Sequence, residues 1–189
     1  MKKYIIFAGV NGAGKSTLYQ TLSSLEDMKR VNSDEIVKEF GSWKNSVDVA
    51  KAGKIAVSKI RQYFELGESF NQETTLCGNS IIRNITKGKE LGYVVELHYV
   101  GVDSPDIAKE RIRERVLNGG HGIPDDDVDR RYLQSLNNLK EVIPLTDVAI
   151  LYDNTERFRR FAIYRKGNKY LLSKRKPKWY ESLNDEVIK

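Results

Sequence analysis

The sequence predicts an α/β fold, a three-layer sandwich in which a mostly parallel sheet of about five strands lies between helices, followed by a basic β-hairpin. Three observations lead to this prediction. Short apolar runs alternate with segments of helical periodicity over residues 1–155. The first apolar run, residues 4–8, is continuous and leads directly into a glycine-rich loop, as expected of a strand covered on both faces. After residue 155 the pattern changes to two short strands around a turn.

The individual elements follow from periodicity and from flanking turn residues. The parallel strands are predicted at residues 4–8, 28–32, 69–74, 93–100 and 148–152. Helices are predicted from Lys15 through Leu25 and then at residues 36–40, 47–66, 80–91, 104–117 and 127–142. The glycine-rich residues 119–124 must form a loop. At the end of the chain, residues 161–165 and 169–173 flank Lys166-Gly167-Asn168, which predicts the hairpin.

Length and composition favour one domain over residues 1–189, with a core at 1–155 and a C-terminal hairpin and tail at 156–189. The chain is 40% hydrophobic and 31% charged, which is typical of a globular protein. No apolar run approaches the roughly 18 residues that cross a membrane, so no membrane contact is predicted. The single cysteine, Cys77, excludes an internal disulfide and indicates a cytoplasmic protein.

The net charge of +6 is unevenly distributed. Residues 157–178 carry ten Lys and Arg and no acidic residue, so the rest of the chain is slightly acidic. Such a segment is either a solvated basic surface or a contact surface for nucleic acid.

The strongest motif is Gly9-Val10-Asn11-Gly12-Ala13-Gly14-Lys15-Ser16, which matches G-x-x-x-x-G-K-[ST] between a predicted strand and a predicted helix. Its glycines let the backbone turn several N–H groups toward phosphate oxygens, and the helix N-terminus adds partial positive charge. Lys15 reaches the β- and γ-phosphates, and the Ser16 hydroxyl is a ligand for Mg²⁺. The sequence therefore predicts a P-loop NTPase that binds ATP and Mg²⁺. The nucleotide-binding residues are expected to be Gly9, Asn11, Gly12, Ala13, Gly14, Lys15, Ser16 and Thr17.

The P-loop alone does not decide between kinases, switch GTPases and motors. The chain contains no N-K-x-D segment of the kind that reads a guanine base in GTPases, and its small size favours a kinase.

Asp34 follows the predicted second strand and is a candidate base for the acceptor hydroxyl or a magnesium ligand. Glu73, Thr74 and Thr75 close the third strand at the same edge of the sheet and could hold a hydroxyl-rich substrate. Capping of local turns is the alternative role for these residues.

Arginines flank the glycine-rich loop, as in a lid that closes over phosphates. Arg111 and Arg115 lie one helical turn apart, and Arg130 and Arg131 follow the loop. His121, inside the loop, is expected to have a structural role or to contact substrate.

Two further polar residues follow or lie within the fourth strand. His98 is interpreted as a core histidine, and Asp103 as a weaker candidate for a carboxylate that holds Mg²⁺.

Together these segments resemble the zeta-toxin family and its shorter relatives. The matching residues are 9–16, 32–34, 73–78, 111–115, 119–124, 131–132, 135–139 and 147–154. The resemblance implies a kinase whose best-known substrates are UDP-activated N-acetyl amino sugars, phosphorylated on a sugar hydroxyl.

The same resemblance implies roles for individual residues. Asp34 would be the base, and Lys15, Arg115 and Arg131 would stabilise the phosphoryl group. Glu73 and Thr74 would contact the substrate, with Thr75, Arg111 and His121 beside them. Full-length toxins of the family are longer and act beside an antitoxin, and no feature of this sequence indicates an antitoxin partner.

Two alternative functions remain open from the sequence. One is a kinase for another hydroxyl, such as that of an antibiotic or a nucleic-acid end. The other is an ATP-binding regulator that is not a kinase and contacts nucleic acid through residues 157–178.

Overall fold

The computed structural model describes residues 1–22, 25, 27–165 and 167–183. The strands are β1 (Lys3–Ala8), β2 (Lys29–Val31), β3 (Phe70–Thr74), β4 (Val94–Gly101), β5 (Val148–Asp153), β6 (Arg159–Arg165) and β7 (Asn168–Leu171). The helices are α1 (Lys15–Gln20), α2 (Ser33–Phe40), α3 (Ser46–Leu66), α4 (Ser80–Glu90), α5 (Pro105–Leu117), α6 (Asp125–Val142) and α7 (Lys178–Glu181), and a 3₁₀ turn covers Ile143–Leu145. None of the helices within this described part of the chain is long and apolar enough to span a membrane.

All seven strands form one sheet in the order β2-β3-β1-β4-β5-β6-β7. The first five pair in parallel, whereas β6 and β7 are antiparallel. The α/β prediction with about five parallel strands is therefore confirmed. The C-terminal hairpin extends this sheet because β6 pairs directly with β5.

Helices cover both faces of the sheet. On one face the core includes Tyr4, Ile6 and Leu97, together with residues of α3, α4, α6 and α7. On the other face, Ile5 and Phe7 pack with residues of α1 and α5. Successive side chains of β1 point to opposite faces of the sheet, and both faces are covered by helices. The sequence of β1 is therefore apolar without interruption.

The largest differences from the predicted helix boundaries are at the end of α1 and the start of α2. Helix α1 ends at Gln20 and does not continue to Leu25; the Thr21 hydroxyl caps it by donating a hydrogen bond to the Leu18 carbonyl, 2.7 Å away. Residues 23, 24 and 26 of the predicted helix lie outside the described residues. Helix α2 begins at Ser33, before the predicted residue 36, because the Asn32 side chain caps it by accepting from the Asp34 amide.

The C-terminal segment also departs from the prediction. Strand β6 begins at Arg159, before the predicted residue 161, and Lys166 of the predicted turn lies outside the described residues. Helix α7 was not expected from the sequence, and its Trp179 is fully buried against Tyr99 and Phe161.

Candidate active site

The P-loop connects β1 to α1 at the carboxyl edge of the parallel strands. Gly9 and Gly12 have φ values of 139° and 79°, and a Cβ atom would lie 2.2 Å from the Val100 carbonyl oxygen or 2.6 Å from that of Ala108. Only glycine fits this path, since other residues would be strained and would collide with backbone. The loop is thereby pressed against β4 and α5, which fixes where its N–H groups point.

Lys15 is buried, and its ammonium group donates a hydrogen bond to the Val10 carbonyl oxygen, 3.1 Å away. Burial lowers the pKa of this ammonium below its ordinary value, and the charge of Arg115 acts in the same direction. The carboxylates of Glu73 and Asp34 oppose that shift. A buried cation of this kind is stabilised when an anion such as a phosphate binds beside it.

Glu73, at the end of β3, is held by a network of donors. The Ser16 hydroxyl donates to its two carboxylate oxygens at 3.0 and 3.1 Å. Arg30 forms an ion pair with Glu73 at 2.7 Å, and the Asn32 amide donates to it at 3.1 Å. The Arg30 guanidinium in turn lies 3.7 Å above the Tyr19 ring. Strand β3 lies beside β1, with Thr74 opposite Ala8, and this register brings Glu73 to the P-loop.

Most of the residues predicted for the site line two adjoining cavities. One, of about 200 Å³, is lined by Asn11, Gly12, Gly14, Lys15, Ser16, Thr17, Asp34, Glu73 and Arg115. The other, of about 230 Å³, is lined by Asn11, Lys15, Asn32, Ser33, Asp34, Gln72, Glu73, Thr74, Thr75 and Arg131. Asp34, Lys15 and Glu73 border both cavities, so the phosphate-binding loop and the carboxylates face a common space.

The Asp34 carboxylate lies in the first turn of α2 and is exposed. Within the described residues it accepts no side-chain hydrogen bond, in contrast to Glu73. It is therefore available to a bound molecule.

Two arginines reach the P-loop, one from α5 and one from α6. The Nε and Nη2 atoms of Arg115 are buried and have no hydrogen-bond partner among the described residues. Arg131 donates to the Asn11 side chain at 3.1 Å. A buried guanidinium without a partner is costly unless an anion completes its hydrogen bonds, which fits a phosphate-binding role for Arg115.

The loop at residues 119–124 contacts the opposite side of the cleft. The His121 ring packs on the Trp43 ring with centroids 4.8 Å apart, and its Nδ1 is buried without a partner among the described residues. Burial lowers the pKa of His121, and Asp34 opposes this shift. Trp43 precedes α3, so the ring contact links the α2–α3 side of the cleft to the α5–α6 side. Trp43 was not predicted from the sequence.

Other predicted residues lie outside the two cavities. Arg111 donates to the Thr155 carbonyl oxygen at 3.2 Å and so lies beside the loop that follows β5. Arg130 pairs with Asp127 at 2.6 Å on the surface.

His98 is buried, as predicted, and contacts Tyr152 and Glu96.

Asp103, the weaker candidate for a magnesium carboxylate, accepts a hydrogen bond from the Trp179 amide at 3.1 Å and borders a different cavity, which is formed with the C-terminal segment. The carboxylate that contacts the Ser16 hydroxyl is that of Glu73.

Two residues that support the site were not found from the sequence. Arg30 holds Glu73, and Asn154 donates to the Ala13 carbonyl oxygen of the P-loop at 2.9 Å. Both contacts join segments that are far apart in the chain, so no local sequence pattern predicts them.

Fold and site together define a P-loop NTPase with a kinase-like fold. More particularly, the chain belongs to the AAA domain family AAA_33, whose model matches residues 5–142. It is 35% identical over 130 residues to an uncharacterized protein of Haemophilus influenzae, covering 69% of this chain and 92% of that protein.

Solved structures share the fold at low sequence identity. A chain in the crystal structure of AvrRxo1-ORF1:-ORF2 with ATP aligns with a TM-score of 0.75 and 16% identity over 97% of this chain. This protein spans only 63% of the length of that chain. A chain in the structure of the PezAT chromosomal toxin-antitoxin system of Streptococcus pneumoniae aligns with a TM-score of 0.61 and 19% identity. The alignment covers 84% of this chain and 70% of that chain.

Proposed function

We propose that this protein is an ATP-dependent kinase that phosphorylates a sugar hydroxyl of a UDP-N-acetyl amino sugar. One observation carries the proposal: Asp34, whose carboxylate accepts no side-chain hydrogen bond from the described residues, borders the same cavities as the P-loop Lys15. An ATP-binding regulator requires the P-loop but no acceptor pocket next to it, whereas a kinase requires both.

Three cations would hold the phosphates. Lys15 would contact the β- and γ-phosphates, and Arg115 would offer its buried Nε and Nη2 donors to the transferred group. Arg131 reaches the same space next to Asn11. Positive charge in a buried cleft stabilises the transferred phosphoryl group more than it would in water.

The oxygen donors of Ser16 and Glu73 fit Mg²⁺, which is usually bound by one or two protein groups together with substrate phosphates. When bound, Mg²⁺ neutralises charge on the β- and γ-phosphate oxygens. Glu73 therefore suits the metal better than the substrate contact that the zeta-toxin resemblance implies. Arg30 and Asn32 keep its carboxylate directed at Ser16.

Asp34 would act as the general base. The acceptor hydroxyl transfers its proton to the Asp34 carboxylate while its oxygen bonds to the γ-phosphorus. The bond between that phosphorus and the β,γ-bridging oxygen breaks, and ADP leaves. Gln72, Thr74 and Thr75 line the acceptor side, and their amide and hydroxyl groups suit a sugar with several hydroxyls.

The choice of a UDP-sugar rests on the zeta-toxin resemblance, and the fold shared with the PezAT chain is compatible with it. The test is incubation of the purified protein with Mg-ATP and a panel of UDP-sugars, followed by mass spectrometry. We expect one phosphate to be added to a UDP-N-acetyl amino sugar. Lys15→Ala should abolish this product, whereas Lys54→Ala, at an exposed position on α3, should leave it unchanged.

The remaining outcomes separate substrate from mechanism. ATP binding without modification of any UDP-sugar would contradict the proposed acceptor and direct the search to other hydroxyl compounds. A product that persists in Lys15→Ala would contradict the role of the P-loop.

A further inference from the structure

The sheet carries a surface outside the active site, on the face of β4–β7 that is opposite α7. Cross-strand partners point to the same side, and they form continuous rows across these strands. One row runs His98–Ile150–Ile163–Tyr170, and the next runs Glu96–Val148–Arg165–Asn168. A third places Arg160 beside Tyr152. We call this set of residues, together with Phe158, the open sheet face.

The core beneath helices α1 and α5 on this side of the sheet extends as far as β5, where it includes Tyr152 and contacts the half-buried Ile150. Farther out, Ile163 is half-buried and Tyr170 is 53% exposed. Phe158 is 41% exposed and packs on Tyr152 at 5.5 Å between ring centroids. The aromatic rings of Phe158 and Tyr170 are therefore both partly presented to solvent.

The charge on this face is positive. Arg160 and Arg165 are exposed on it, within a segment that has no acidic residue from 157 to 178. The one carboxylate in the rows, Glu96, accepts a hydrogen bond from His98 at 2.7 Å. That bond lowers the pKa of Glu96, and the charges of Lys3 and Arg165 add to the effect. The negative charge of the Glu96 carboxylate is thus compensated by His98, Lys3 and Arg165.

We propose that the open sheet face binds single-stranded nucleic acid, with Phe158 and Tyr170 stacking on bases and Arg160 and Arg165 contacting phosphates. Exposed aromatic rings between arginines are the combination that single strands require, because unpaired bases offer π-faces and the backbone offers charge. A purely electrostatic partner would need the arginines but not the rings. This surface is separate from the P-loop cavities, so the inference does not depend on the kinase proposal.

The test is fluorescence anisotropy with labelled oligothymidine and oligouridine of about 12 nucleotides, a length within the usual site sizes of single-strand binders. Measurements run over a salt series without ATP. We expect Tyr170→Ala or Phe158→Ala to weaken binding about tenfold with little change in salt dependence, and Tyr170→Phe to retain binding. Arg160→Gln with Arg165→Gln should reduce the slope of log affinity against log salt by about 1.4.

Matched variants make the result specific. Arg61→Gln with Arg83→Gln removes the same charge from exposed positions on α3 and α4, on the other face of the sheet, and should change binding little. Lys15→Ala should bind the oligonucleotide like the unmodified protein, which separates this surface from the kinase site.

Three results would overturn the proposal. One is the absence of binding at low salt, and another is equal binding by the two alanine variants and the unmodified protein, which would leave only a basic patch. The third is a dimer in light scattering that dissociates on Tyr170→Ala, with no oligonucleotide bound, since the face would then join two copies of the chain.

Discussion

At the scale of single residues, the site combines a buried cation with carboxylates of unequal freedom. Lys15 is buried, with its ammonium on the Val10 carbonyl, while Glu73 is fixed by Ser16, Arg30 and Asn32. Asp34 has no such partners in the described structure. This difference is the basis on which we propose Glu73 for the phosphate and metal side and Asp34 for the acceptor.

The burial of Lys15 leads to a stability prediction. Lys15→Met should raise the free energy of unfolding of the nucleotide-free protein by about 1 kcal/mol at neutral pH, because a buried charge is removed. The pKa of Lys15 is lowered in the folded state, so the unfolded chain binds more protons between that pKa and 10.5. The stability of the unmodified protein therefore rises with pH in this window, and the advantage of the variant should narrow.

Urea unfolding at several pH values measures this effect, with Lys54→Met as the exposed control. A Lys15→Met protein that is less stable at neutral pH, or a difference that grows with pH, would contradict the prediction.

At the scale of elements, the P-loop depends on contacts between segments. Gly9 passes so close to β4 that a Cβ would lie 2.2 Å from the Val100 carbonyl oxygen. Gly53, in the middle of α3, has no atom within 4 Å of a Cβ built on it. The backbone at Gly9 therefore leaves no space for a side chain, whereas the backbone at Gly53 does.

Gly9→Ala should lower the free energy of unfolding by about 3 kcal/mol, since it adds a backbone collision to a positive φ of 139°. Gly53→Ala should raise it by about 0.5–1 kcal/mol, because alanine restricts the unfolded chain and favours the helix. Denaturant unfolding of both variants measures the difference. Similar effects of the two substitutions would show that the P-loop is not packed as described.

The elements also show what the sequence could predict. The buried first strand, the P-loop and most of the helices follow from local periodicity and from one motif, and the structure bears them out. The position of Glu73 beside Ser16 depends on β3 lying next to β1, which one sequence does not reveal. Strand β4 also lies next to β1, but the Asp103 carboxylate after it accepts a hydrogen bond from the distant Trp179 amide, a contact that one sequence does not reveal either.

At the scale of the whole molecule, the C-terminal segment is part of the core. Trp179 is 1% exposed and contacts Tyr99, Phe161 and Tyr180. Its ring lies where a Cβ on Gly101 would be, 2.2 Å away, so glycine at the end of β4 makes room for it. Its indole N–H donates to Asp153, which closes β5. Helix α7 thus supports the strand ends that carry the loops of the site.

Trp179→Ala should lower the free energy of unfolding by about 3–5 kcal/mol, as expected for a large buried side chain. Tyr170→Ala, at an exposed position in β7, should change it by less than about 0.5 kcal/mol. Unfolding followed by fluorescence and circular dichroism tests both values and should show one transition. A separate early transition of the C-terminal segment would contradict a shared core.

The role of Asp34 as general base is tested most directly by Asp34→Asn, measured for ATP affinity and for acceptor-dependent ADP formation in the UDP-sugar panel. Glu39→Gln, exposed on the same helix, is the control. We predict that ATP affinity stays within about twofold while turnover falls by about 10² or more, as on loss of a general base. If ATP affinity and turnover fell in parallel, the proposed role of Asp34 would be contradicted. Asp34 would then serve the metal or the fold and not the acceptor hydroxyl.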